Sequence, residues 1–595
     1  MNSNFISRYF FVVSFLKIYI MKNFLKNILS SFLAILLIFI LFIVFFVSLI
    51  PEEQSIVVKD NSVLKIEFND QILDRTSENA FDDINIMDFS QEGSVEFKDI
   101  LDNIEKAKDD DKIKGIYLNF SLVNAGFSQI EEIRNKLLEF KETGKFIYSY
   151  ADSYNQAAYY LASVSDKIAL NPEGIIELKG LSIGVMFYKG LMDKLGIEAQ
   201  IIRHGKFKGA VEPFMYNQMS NENREQLEKF VNSLSDYMID GIATAREGIS
   251  SEEIHIMINN MDLSSSIKCL DRKIIDEIFY EDEFLSELED LSDNEITLTD
   301  YMKVKNPKTS VSNNKIAIIY ATGAINTGKG SYNTIGSETT VEAIREASED
   351  ENVKAIVLRV NSPGGSALAS EIIWREINLA KQKKKIVVSM GDYAASGGYY
   401  IACNADRIFA NNSTLTGSIG VFGIVPNTKK FLNEKLGIYI ETVNTHKHSD
   451  IGMGYRRLSD EEVSVIQNSV EDIYETFITH VSDGRGITKQ QVNEIGQGRI
   501  WSGVDALSIG LIDEIGGLED AIVSAAELAE LEDYRIITLP KKTDMLEEFI
   551  KSFSAKQNIV LPEFLGISEK TMNQLEFLNS KDRIQARLPF IMELK

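Results

Sequence analysis

Cysteine is scarce in this sequence, because only Cys269 and Cys403 occur among its 595 residues. Two cysteines exclude a disulfide framework and a multi-cysteine zinc site, and at most one bridge could form. Since free cysteine usually packs as a small apolar side chain, we expect two separate buried thiols rather than a bridge.

Basic residues are also fewer than acidic ones. The chain has 62 lysine and arginine residues against 88 aspartate and glutamate residues, which gives a formal net charge of −26. Proteins that bind nucleic acid neutralise its phosphates with clustered basic residues, and this acidic balance argues against such a partner. We therefore expect no nucleic acid and favour neutral or hydrophobic partners.

One uncharged apolar run, residues 28–50, lies near the N-terminus. As a helix it would be about 35 Å long, enough to cross the hydrocarbon core of a bilayer. The run ends at Pro51 and two glutamates rather than at small residues, which predicts a retained transmembrane anchor instead of a cleaved signal peptide. Basic residues precede the run, so the positive-inside rule places residues 1–27 in the cytoplasm and everything after Pro51 outside. Met21 also fits a translation start, which would leave residues 1–20 untranslated.

The sequence repeats itself at an interval of about 240 residues. Tyr-Tyr-Leu-Ala at 159–162 returns as Tyr-Tyr-Ile-Ala at 399–402, and three further matches occur at nearly the same interval. These matches predict two tandem repeats, which suits a chain too long for one ordinary hydrophobic core. We place the repeats at 56–300 and 312–540, with a polar linker at 301–311 and a C-terminal tail, 541–595, that has no clear pattern.

Short apolar runs alternate with stretches of helical period in each half. In the second half the runs 315–320, 355–360 and 385–390 are separated by the helix-like stretches 339–349 and 366–382. This alternation predicts βα units around a largely parallel, buried sheet, and therefore an α/β fold.

Two glycine-bearing turns follow predicted strands of the second half, at 361–366 and 392–398. The carboxyl ends of parallel strands form the ligand crevice of an open α/β sheet, so the two turns are expected to lie together. Ser396 opens a predicted helix in the second turn and is a candidate nucleophile. The candidate oxyanion donors are the backbone N–H groups of Gly397 and of Gly364 or Gly365.

A serine hydroxyl is a poor nucleophile until a base takes its proton. The five histidines suit this role poorly, because they fall in polar or helical stretches without a matching acidic partner nearby in sequence. A lysine can act as the base when burial disfavours its charged form and lowers its pKa. Spacing alone does not identify that lysine, and it leaves a buried histidine base open as an alternative.

Several motifs carry a resemblance to a known family. They are Phe-Lys-Gly-Ala-Val-Glu-Pro-Phe at 207–214, Ser-Pro-Gly-Gly at 362–365, Ala-Ser-Gly-Gly-Tyr-Tyr at 395–400, Gly-Arg-Ile-Trp-Ser-Gly at 498–503 and Gly-Leu-Ile-Asp at 510–513. Together they resemble the long, duplicated form of the signal peptide peptidase A (protease IV) family, over about residues 56 to 540. Where that family usually has Tyr-Lys-Ser, this chain has Phe207-Lys208-Gly209.

The resemblance implies two tandem Clp/crotonase-like repeats and a Ser-Lys dyad divided between them. Carried over by position, Ser396 is the nucleophile, Lys208 is the general base, and Gly397 with Gly364 or Gly365 supplies the oxyanion donors. Trp501 and Asp513 in the late motifs are expected to be structural.

The duplication gives an independent check, because a divided dyad predicts that each repeat lacks what the other keeps. At an interval of 240, Ser396 corresponds to Gln156 and the Gly364-Gly365 pair to Asn124-Ala125. At 241, Lys208 corresponds to Ser449. Neither half is therefore expected to be active alone.

The resemblance also implies a function. It indicates a membrane-bound serine endopeptidase that degrades cleaved signal peptides and other hydrophobic or unfolded peptides through an acyl-enzyme, without metal or cofactor. It further implies a homotetramer, anchored in membrane lipid by a single span of the bacterial cytoplasmic (inner) membrane, with the catalytic part on the periplasmic side.

Two alternatives stay open. One is a catalytically inactive membrane scaffold of the same fold, against which the retained Ser396 and Lys208 argue. The other is a crotonase-type acyl-CoA enzyme, whose related fold also pairs backbone N–H groups around an oxyanion but needs no Ser-Lys pair.

Overall fold

The computed structural model describes residues 26, 30–34, 37, 41, 56–76, 93–306, 310–331, 333–541 and 584–588. The backbone at 26, 30–34, 37 and 41 is helical, and the rest of the predicted N-terminal segment and anchor, 1–50, lies outside the described residues. Among the residues described, no helix is both long enough and apolar enough to cross a bilayer. Met1–Val57 and Val58–Lys595 form two compact units, and the sheets below belong to the second.

The first predicted repeat contains alternating strands and helices. Its strands are β1 (Ser62–Ile66), β2 (Gln71–Leu73), β3 (Ser94–Glu96), β4 (Ile113–Leu118), β5 (Phe146–Ala151), β6 (Tyr154–Asn155), β7 (Lys167–Leu170), β8 (Ile176–Glu177), β9 (Glu198–Arg203), β10 (Glu277–Ile278) and β11 (Asn294–Thr297). Its helices are α1 (Phe97–Asp109), α2 (Phe127–Lys141), α3 (Gln156–Ala162), α4 (Lys189–Leu195), α5 (Glu212–Met215), α6 (Asn221–Ala245), α7 (Ser251–Asn260), α8 (Ser266–Asp271), α9 (Glu281–Glu289) and α10 (Leu298–Met302), with a 3₁₀ turn at Gly209–Val211.

The second predicted repeat follows the same plan. Its strands are β12 (Lys315–Thr322), β13 (Ala324–Asn326), β14 (Thr334–Gly336), β15 (Val353–Ser362), β16 (Gly364–Ser366), β17 (Lys385–Ala395), β18 (Arg407–Ala410), β19 (Leu415–Gly417), β20 (Phe422–Asn427), β21 (Ile500–Ser502), β22 (Glu514–Ile515) and β23 (Arg535–Leu539). Its helices are α11 (Ser337–Glu349), α12 (Ala367–Lys381), α13 (Gly397–Ala402), α14 (Asp460–Arg485), α15 (Lys489–Ile495), α16 (Gly503–Ser508) and α17 (Leu518–Leu528), with a π turn at Phe431–Lys435. Where the structure describes the tail beyond residue 541, at 584–588, it has the strand β24 (Ile584–Arg587).

Each repeat contributes one large sheet. The first has the order β10-β7-β5-β4-β1-β11, and every pairing in it is parallel. The second has the order β21-β19-β17-β15-β12-β23, with β18 beside β17, and is parallel except where β19 meets β21. Parallel strands buried on both faces contain long apolar runs, as the central strands β12, β15 and β17 do at 316–319, 355–358 and 386–388. The predicted α/β fold with largely parallel sheets is confirmed.

Several helices begin where the side chain of a serine or threonine caps them. Ser459 accepts from the backbone N–H of Glu462, whose carboxylate accepts in return from the N–H of Ser459, so α14 starts with a capping box. The helix ends at Gly486, whose φ of +66° suits a left-handed C-cap. Side-chain caps of the same kind start other helices at Ser220, Ser250, Ser265, Thr297, Ser366, Thr488 and Ser502.

Equivalent contacts in the two halves show the duplication in three dimensions. The hydroxyl of Tyr159 donates to the carbonyl of Ile274 at 2.7 Å, and that of Tyr399 donates to Leu511 at 2.8 Å. Asp276 accepts from the N–H of Ile168 and pairs with Arg246, as Asp513 accepts from Ile408 and pairs with Arg485. Asp513 therefore ties a helix to a strand end, which is a structural role.

Two further sequence expectations concern single side chains. Cys269 and Cys403 are both buried and unbridged, as predicted. Trp501 is 9% exposed and its indole N–H donates to the carbonyl of Ile495 at 2.9 Å, so it packs and hydrogen-bonds within the fold.

A third sheet joins the two repeats, with the order β14-β13-β16-β24-β20-β9. Strand β9 comes from the first repeat and pairs antiparallel with β20 of the second over six residues, from Glu198 opposite Asn427 to Arg203 opposite Phe422. This pairing brings the segment after β9, which contains Lys208, to the carboxyl ends of the second repeat's parallel strands.

Candidate active site

Ser396 occupies a strained turn between β17 and α13. Its φ of +57° and ψ of −113° are unusual for a residue with a side chain, and such a conformation costs about 1–3 kcal/mol. The backbone holds it from both sides, because its N–H donates to Gly417 and its carbonyl accepts from Tyr400, each at 2.8 Å. The turn also needs Gly398, since a Cβ atom there would lie 2.7 Å from the carbonyl oxygen of Ser362. Strain kept in this way is typical of a functional turn.

Lys208 lies beside that serine. Its Nζ is 2.7 Å from Ser396 Oγ, 3.0 Å from the carbonyl oxygen of Ser418 and 3.1 Å from Ser418 Oγ. Lys208 is 1% exposed and Ser396 is fully buried. The structure therefore brings together the two residues that the sequence places 188 positions apart.

The surroundings of Lys208 leave no room for larger residues. A Cβ atom on Gly498, whose φ is +84°, would come within 2.7 Å of the Lys208 backbone, and one on Gly420 would lie 3.3 Å from Lys208 Cδ. The N–H of Phe207 donates to the carbonyl of Gln497 at 3.1 Å. The Gly-Arg-Ile-Trp motif at 498–501 thus begins with the glycine that packs on the lysine.

Burial sets the charge of the lysine. The pKa of Lys208 is lowered well below its ordinary value of 10.5, and the cause is desolvation of its ammonium form. Its three hydrogen-bond partners are hydroxyl and carbonyl oxygens of serines, so no carboxylate among them opposes this effect. A neutral amine 2.7 Å from a serine hydroxyl can accept its proton.

The two glycine turns meet at the nucleophile. Gly364 has a φ of +94°, and a Cβ atom on it would lie 2.7 Å from the amide nitrogen of Gly397. A Cβ atom on Gly397 would lie 3.1 Å from the amide nitrogen of Gly365. The N–H of Gly364 donates to Ser362 Oγ at 3.1 Å. Of the two turn glycines, Gly365 is therefore the better candidate to act with Gly397 on an oxyanion.

The first repeat also supports the strand that leads to the nucleophile. Asp392 in β17 accepts from the N–H of Ser128 at 2.8 Å and from its hydroxyl at 2.9 Å, at the start of α2. Asn361, which precedes the glycine turn, donates to Asp392 at 3.3 Å and accepts from the N–H of Tyr393 at 3.2 Å. The pKa of Asp392 is raised by its burial and by the nearby charge of Asp74.

The histidines are engaged elsewhere. His204 stacks on Tyr474 and bonds to Glu471, and His480 stacks on Trp374 and bonds to Glu371. His255 pairs with Asp236, and His446 hydrogen-bonds to Thr445 and Ser449. His448 pairs with Glu461 and Glu462. None of these contacts reaches Ser396, so the histidine alternative has no support in this geometry.

Two features of the site were not predicted from the sequence. Ser418, with a φ of +50°, hydrogen-bonds to Lys208 through both its backbone carbonyl and its side chain. The nearby glycines at 417 and 420 are the sequence signal that could have indicated this turn. Strand β24 of the tail pairs with β16, which contains Gly364 and Gly365. Its four residues carry no pattern that would single them out.

Comparison with known proteins adds independent findings. Residues 139–295 and 378–532 match peptidase family S49, one match in each repeat. Residues 305–431 match the ClpP-like SDH-type serine proteinases.

Individual relatives extend over most of the chain. Protease 4 of Salmonella typhi is 35% identical over 479 residues, which are 78% of this chain and 77% of that protein. The chloroplastic serine protease SPPA of Arabidopsis thaliana is 34% identical over 509 residues, 83% of this chain and 74% of that protein. Protease 4 of Haemophilus influenzae is 35% identical over 451 residues, 72% of each chain.

Proposed function

Because the chain belongs to peptidase family S49, the family of signal peptide peptidase A, and is a serine protease, we propose that Ser396 and Lys208 are its catalytic dyad. The observation that carries this proposal is the 2.7 Å contact between Ser396 Oγ and the amine of a fully buried lysine. The lowered pKa of Lys208 supports it, since only the neutral amine can act as a base. Ser418 is a positioning residue that orients this amine through two oxygens.

The acylation step follows from this geometry. Lys208 Nζ takes the hydroxyl proton as Ser396 Oγ bonds to the carbonyl carbon of a peptide, and the carbonyl electron pair moves onto oxygen. The N–H groups of Gly397 and Gly365 donate to that oxyanion. When the C=O bond re-forms, the peptide C–N bond breaks and the Lys208 ammonium returns its proton to the leaving amine.

Deacylation reverses the roles. Lys208, neutral again, takes a proton from a water molecule as that water attacks the ester carbonyl carbon. Collapse of the second tetrahedral intermediate breaks the ester bond, frees the carboxylic acid and returns the proton to Ser396 Oγ.

An active-site probe tests the dyad. A fluorophosphonate should form a covalent adduct on Ser396, located by mass spectrometry of peptides, and the adduct should vanish in Ser396→Ala. The exposed Ser464→Ala is the matched control and should label like the unmodified chain. Absence of an adduct while the protein stays folded and oligomeric would favour the scaffold or the crotonase-type enzyme, and an adduct on another residue would reassign the nucleophile.

The proposed substrates are cleaved signal peptides and other hydrophobic or unfolded peptides. A site enclosed between strands accepts an extended chain, which a folded protein offers only where it is unfolded. Mass spectrometry of the products from a mixed peptide library, run beside Ser396→Ala, tests this substrate class. Cleavage restricted to folded proteins would contradict it.

We also propose a single-span anchor at 28–50 in the bacterial inner membrane, with the catalytic unit on the periplasmic side. The uncharged run and the basic residues before it support this placement. The test is whether the full chain stays with membranes after carbonate extraction and is digested by protease added to spheroplasts. Resistance to that protease in intact spheroplasts would reverse the topology.

A homotetramer is the proposed assembly. The segment 436–443 supports self-association because its apolar side chains are exposed, among them Tyr439 at 77% and Val443 fully. Light scattering on the detergent-solubilised full chain should give four copies, and Tyr439→Asp should reduce that number. A monomer in the unmodified protein would contradict the proposal.

A further inference from the structure

Glu131 of α2 binds a loop of the other repeat. Residues 411–413 lie between β18 and β19 of the second repeat. Glu131 Oε1 accepts from the N–H of Asn412 at 3.0 Å and from its Nδ2 at 2.7 Å. Glu131 Oε2 accepts from the N–H of Ser413 at 3.1 Å and from its hydroxyl at 2.6 Å. A carboxylate that is almost fully buried thus accepts hydrogen bonds from the backbone and the side chain of two consecutive residues.

The neighbouring glutamate extends the same contact. Glu132 Oε1 accepts from Asn411 Nδ2 at 2.7 Å and from Arg359 at 2.9 Å. Its other carboxylate oxygen accepts from the N–H of Leu518 at 2.7 Å, at the start of α17. Each residue of the 411–413 loop is therefore hydrogen-bonded to α2 of the first repeat.

The 411–413 loop leads directly to the residues that contact the dyad. Thr414 donates through its hydroxyl to a carbonyl of β17 at 2.8 Å, and β19 follows. At the end of β19 the carbonyl of Gly417 accepts from the N–H of Ser396 at 2.8 Å. The next residue, Ser418, accepts from Lys208 Nζ through its carbonyl and its hydroxyl. The position of the loop therefore sets where β19 presents these two residues to the nucleophile and the base.

The corresponding loop of the first repeat is satisfied locally. At the interval of 240 residues, 411–413 corresponds to Asn171-Pro172-Glu173. Proline has no N–H group, and the N–H of Glu173 donates to Asn171 Oδ1 at 3.1 Å. In the second repeat the N–H groups at 412 and 413 donate to the other repeat instead. Because a buried N–H without a partner is costly, the conformation of the 411–413 loop depends on Glu131.

We propose that Glu131 is a positioning residue for the dyad, which acts through the 411–413 loop on Gly417 and Ser418. This inference rests on the proposed function, because it gives the first repeat a second contribution to the site besides Lys208. Since Glu131 acts through the loop and not on the substrate, its loss should impair the chemical step and leave peptide binding as it was. The expected change is a lower kcat at a nearly constant KM.

Steady-state kinetics of the full chain with a fluorogenic peptide provide the first test. Glu131→Gln keeps the shape of the side chain but turns an amide donor toward the donors of the loop, so kcat should fall at least tenfold while KM changes less than twofold. Glu139→Gln on the same helix removes an exposed carboxylate that pairs with Lys108 and Lys136, and it should match the unmodified chain. Equal kcat values in the two variants would overturn the proposal.

The pH profile separates positioning of the amine from a loss of stability. Burial lowers the pKa of Lys208, and a displaced loop would let water reach the amine. The midpoint of the pH profile for fluorophosphonate labelling of Ser396 should therefore move up by at least one pH unit in Glu131→Gln and stay in place in Glu139→Gln. A lower labelling rate with an unchanged midpoint would mean that fewer molecules are folded, and it would overturn the inference.

An exchanged pair tests the contact itself. Asn412→Asp alone brings two carboxylates together and should lower kcat. Combined with Glu131→Gln, it restores a hydrogen bond with donor and acceptor exchanged, so kcat should recover about threefold relative to Asn412→Asp alone. A double variant no better than the poorer single variant would contradict an action through this contact.

A milder variant covers the case in which Glu131→Gln does not fold. Ser413→Ala removes one donor and leaves the carboxylate in place, and it should lower kcat about threefold. Labelling of Ser396 also separates this inference from the proposed function. No adduct on Ser396 in the unmodified chain would overturn the dyad and, with it, the role of Glu131. Labelling of Ser396 at the same rate and pH midpoint in the unmodified chain, Glu131→Gln and Ser413→Ala would leave the dyad in place and overturn the positioning role.

Discussion

Lys208 shows how a single residue type is suited to its position. A buried lysine can lose its charge, whereas arginine remains protonated in proteins, so Lys208→Arg should be as inactive as Lys208→Ala. Loss of the base should lower the rate of peptide hydrolysis by about 10²–10⁴-fold. The initial rate of hydrolysis of a fluorogenic peptide measures this loss of activity. The exposed Lys206→Arg, two residues away, is the matched control and should keep full activity, and substantial turnover in Lys208→Ala would reassign the base.

The lowered pKa of Lys208 has a signed consequence for pH dependence. The active form is the neutral amine, so the rate at which a fluorophosphonate labels Ser396 should rise with pH and reach its plateau well below pH 10.5. Stability follows the same direction. Between the folded pKa and 10.5 the unfolded chain binds a proton that the folded chain does not, so stability should rise with pH there, and Lys208→Met should remove that part of the slope. A labelling rate that begins to rise only near pH 10.5 would show that the buried amine keeps its ordinary pKa, and would contradict this prediction.

At the scale of elements, the start of α2 in the first repeat receives a carboxylate from β17 of the second. At the interval of 240 residues, Asn124-Ala125-Gly126 of the first repeat corresponds to the oxyanion turn Gly364-Gly365-Ser366 of the second. The N–H of Ser128, close to this corresponding segment, donates to Asp392. A helix N-terminus favours a negative charge there. A side chain at 126 would force the Asp392 carboxylate to move, because a Cβ atom there would lie 1.8 Å from Asp392 Oδ2.

This contact predicts an effect on catalysis from a substitution in the other repeat. Gly126→Ala should push Asp392, and with it the strand that leads to Ser396, out of position and lower kcat roughly tenfold, about 1.4 kcal/mol in the barrier. The KM for a short peptide should change little, and the thermal unfolding midpoint shows whether the fold is kept. Gly184→Ala, at an exposed glycine with no atom within 4 Å of the added Cβ, is the control. Full activity in Gly126→Ala would show that Asp392 does not position the nucleophile.

At the scale of the whole molecule, a buried ion network links the repeats. Arg359 of β15 is fully buried and binds Asp74 at 3.0 Å and Glu132 at 2.9 Å, both from the first repeat. These carboxylates raise the pKa of the Arg359 guanidinium against the opposing effect of burial. Asp74 also accepts a hydrogen bond from Asn361, beside the glycine turn.

Breaking this network should destabilise the protein strongly, because a buried charge would lose a partner. Asp74→Ala should lower the free energy of unfolding by about 3–5 kcal/mol, measured by urea denaturation. Asp300→Ala, which removes an exposed ion pair with Lys303, should cost no more than about 1 kcal/mol. If the double variant Asp74→Leu with Arg359→Met recovers most of the loss, the cost arises from the unpaired charge. Equal effects of Asp74→Ala and Asp300→Ala would contradict a role for the network.

Much of the fold was readable from local pattern. The apolar runs at 315–320, 355–360 and 385–390 became β12, β15 and β17, and the helical stretch at 339–349 became α11. Each strand extends further than its run, because the ends are fixed by pairing with neighbours and not by hydrophobicity alone. The assignment of Ser396 and Lys208 remains a proposal, but the 2.7 Å between their side chains fits it.

The sequence by itself determined the duplication, the α/β class and the complementary losses between the repeats, since these follow from side-chain periodicity and from residues compared along one dimension. Only the tertiary structure decided which lysine reaches the serine, because β9 crosses between repeats to pair with β20. It alone placed Ile584–Arg587 between β16 and β20 as well. Both outcomes depend on backbone hydrogen bonds between distant segments, which any extended residues can form and which therefore leave no signature in composition or spacing.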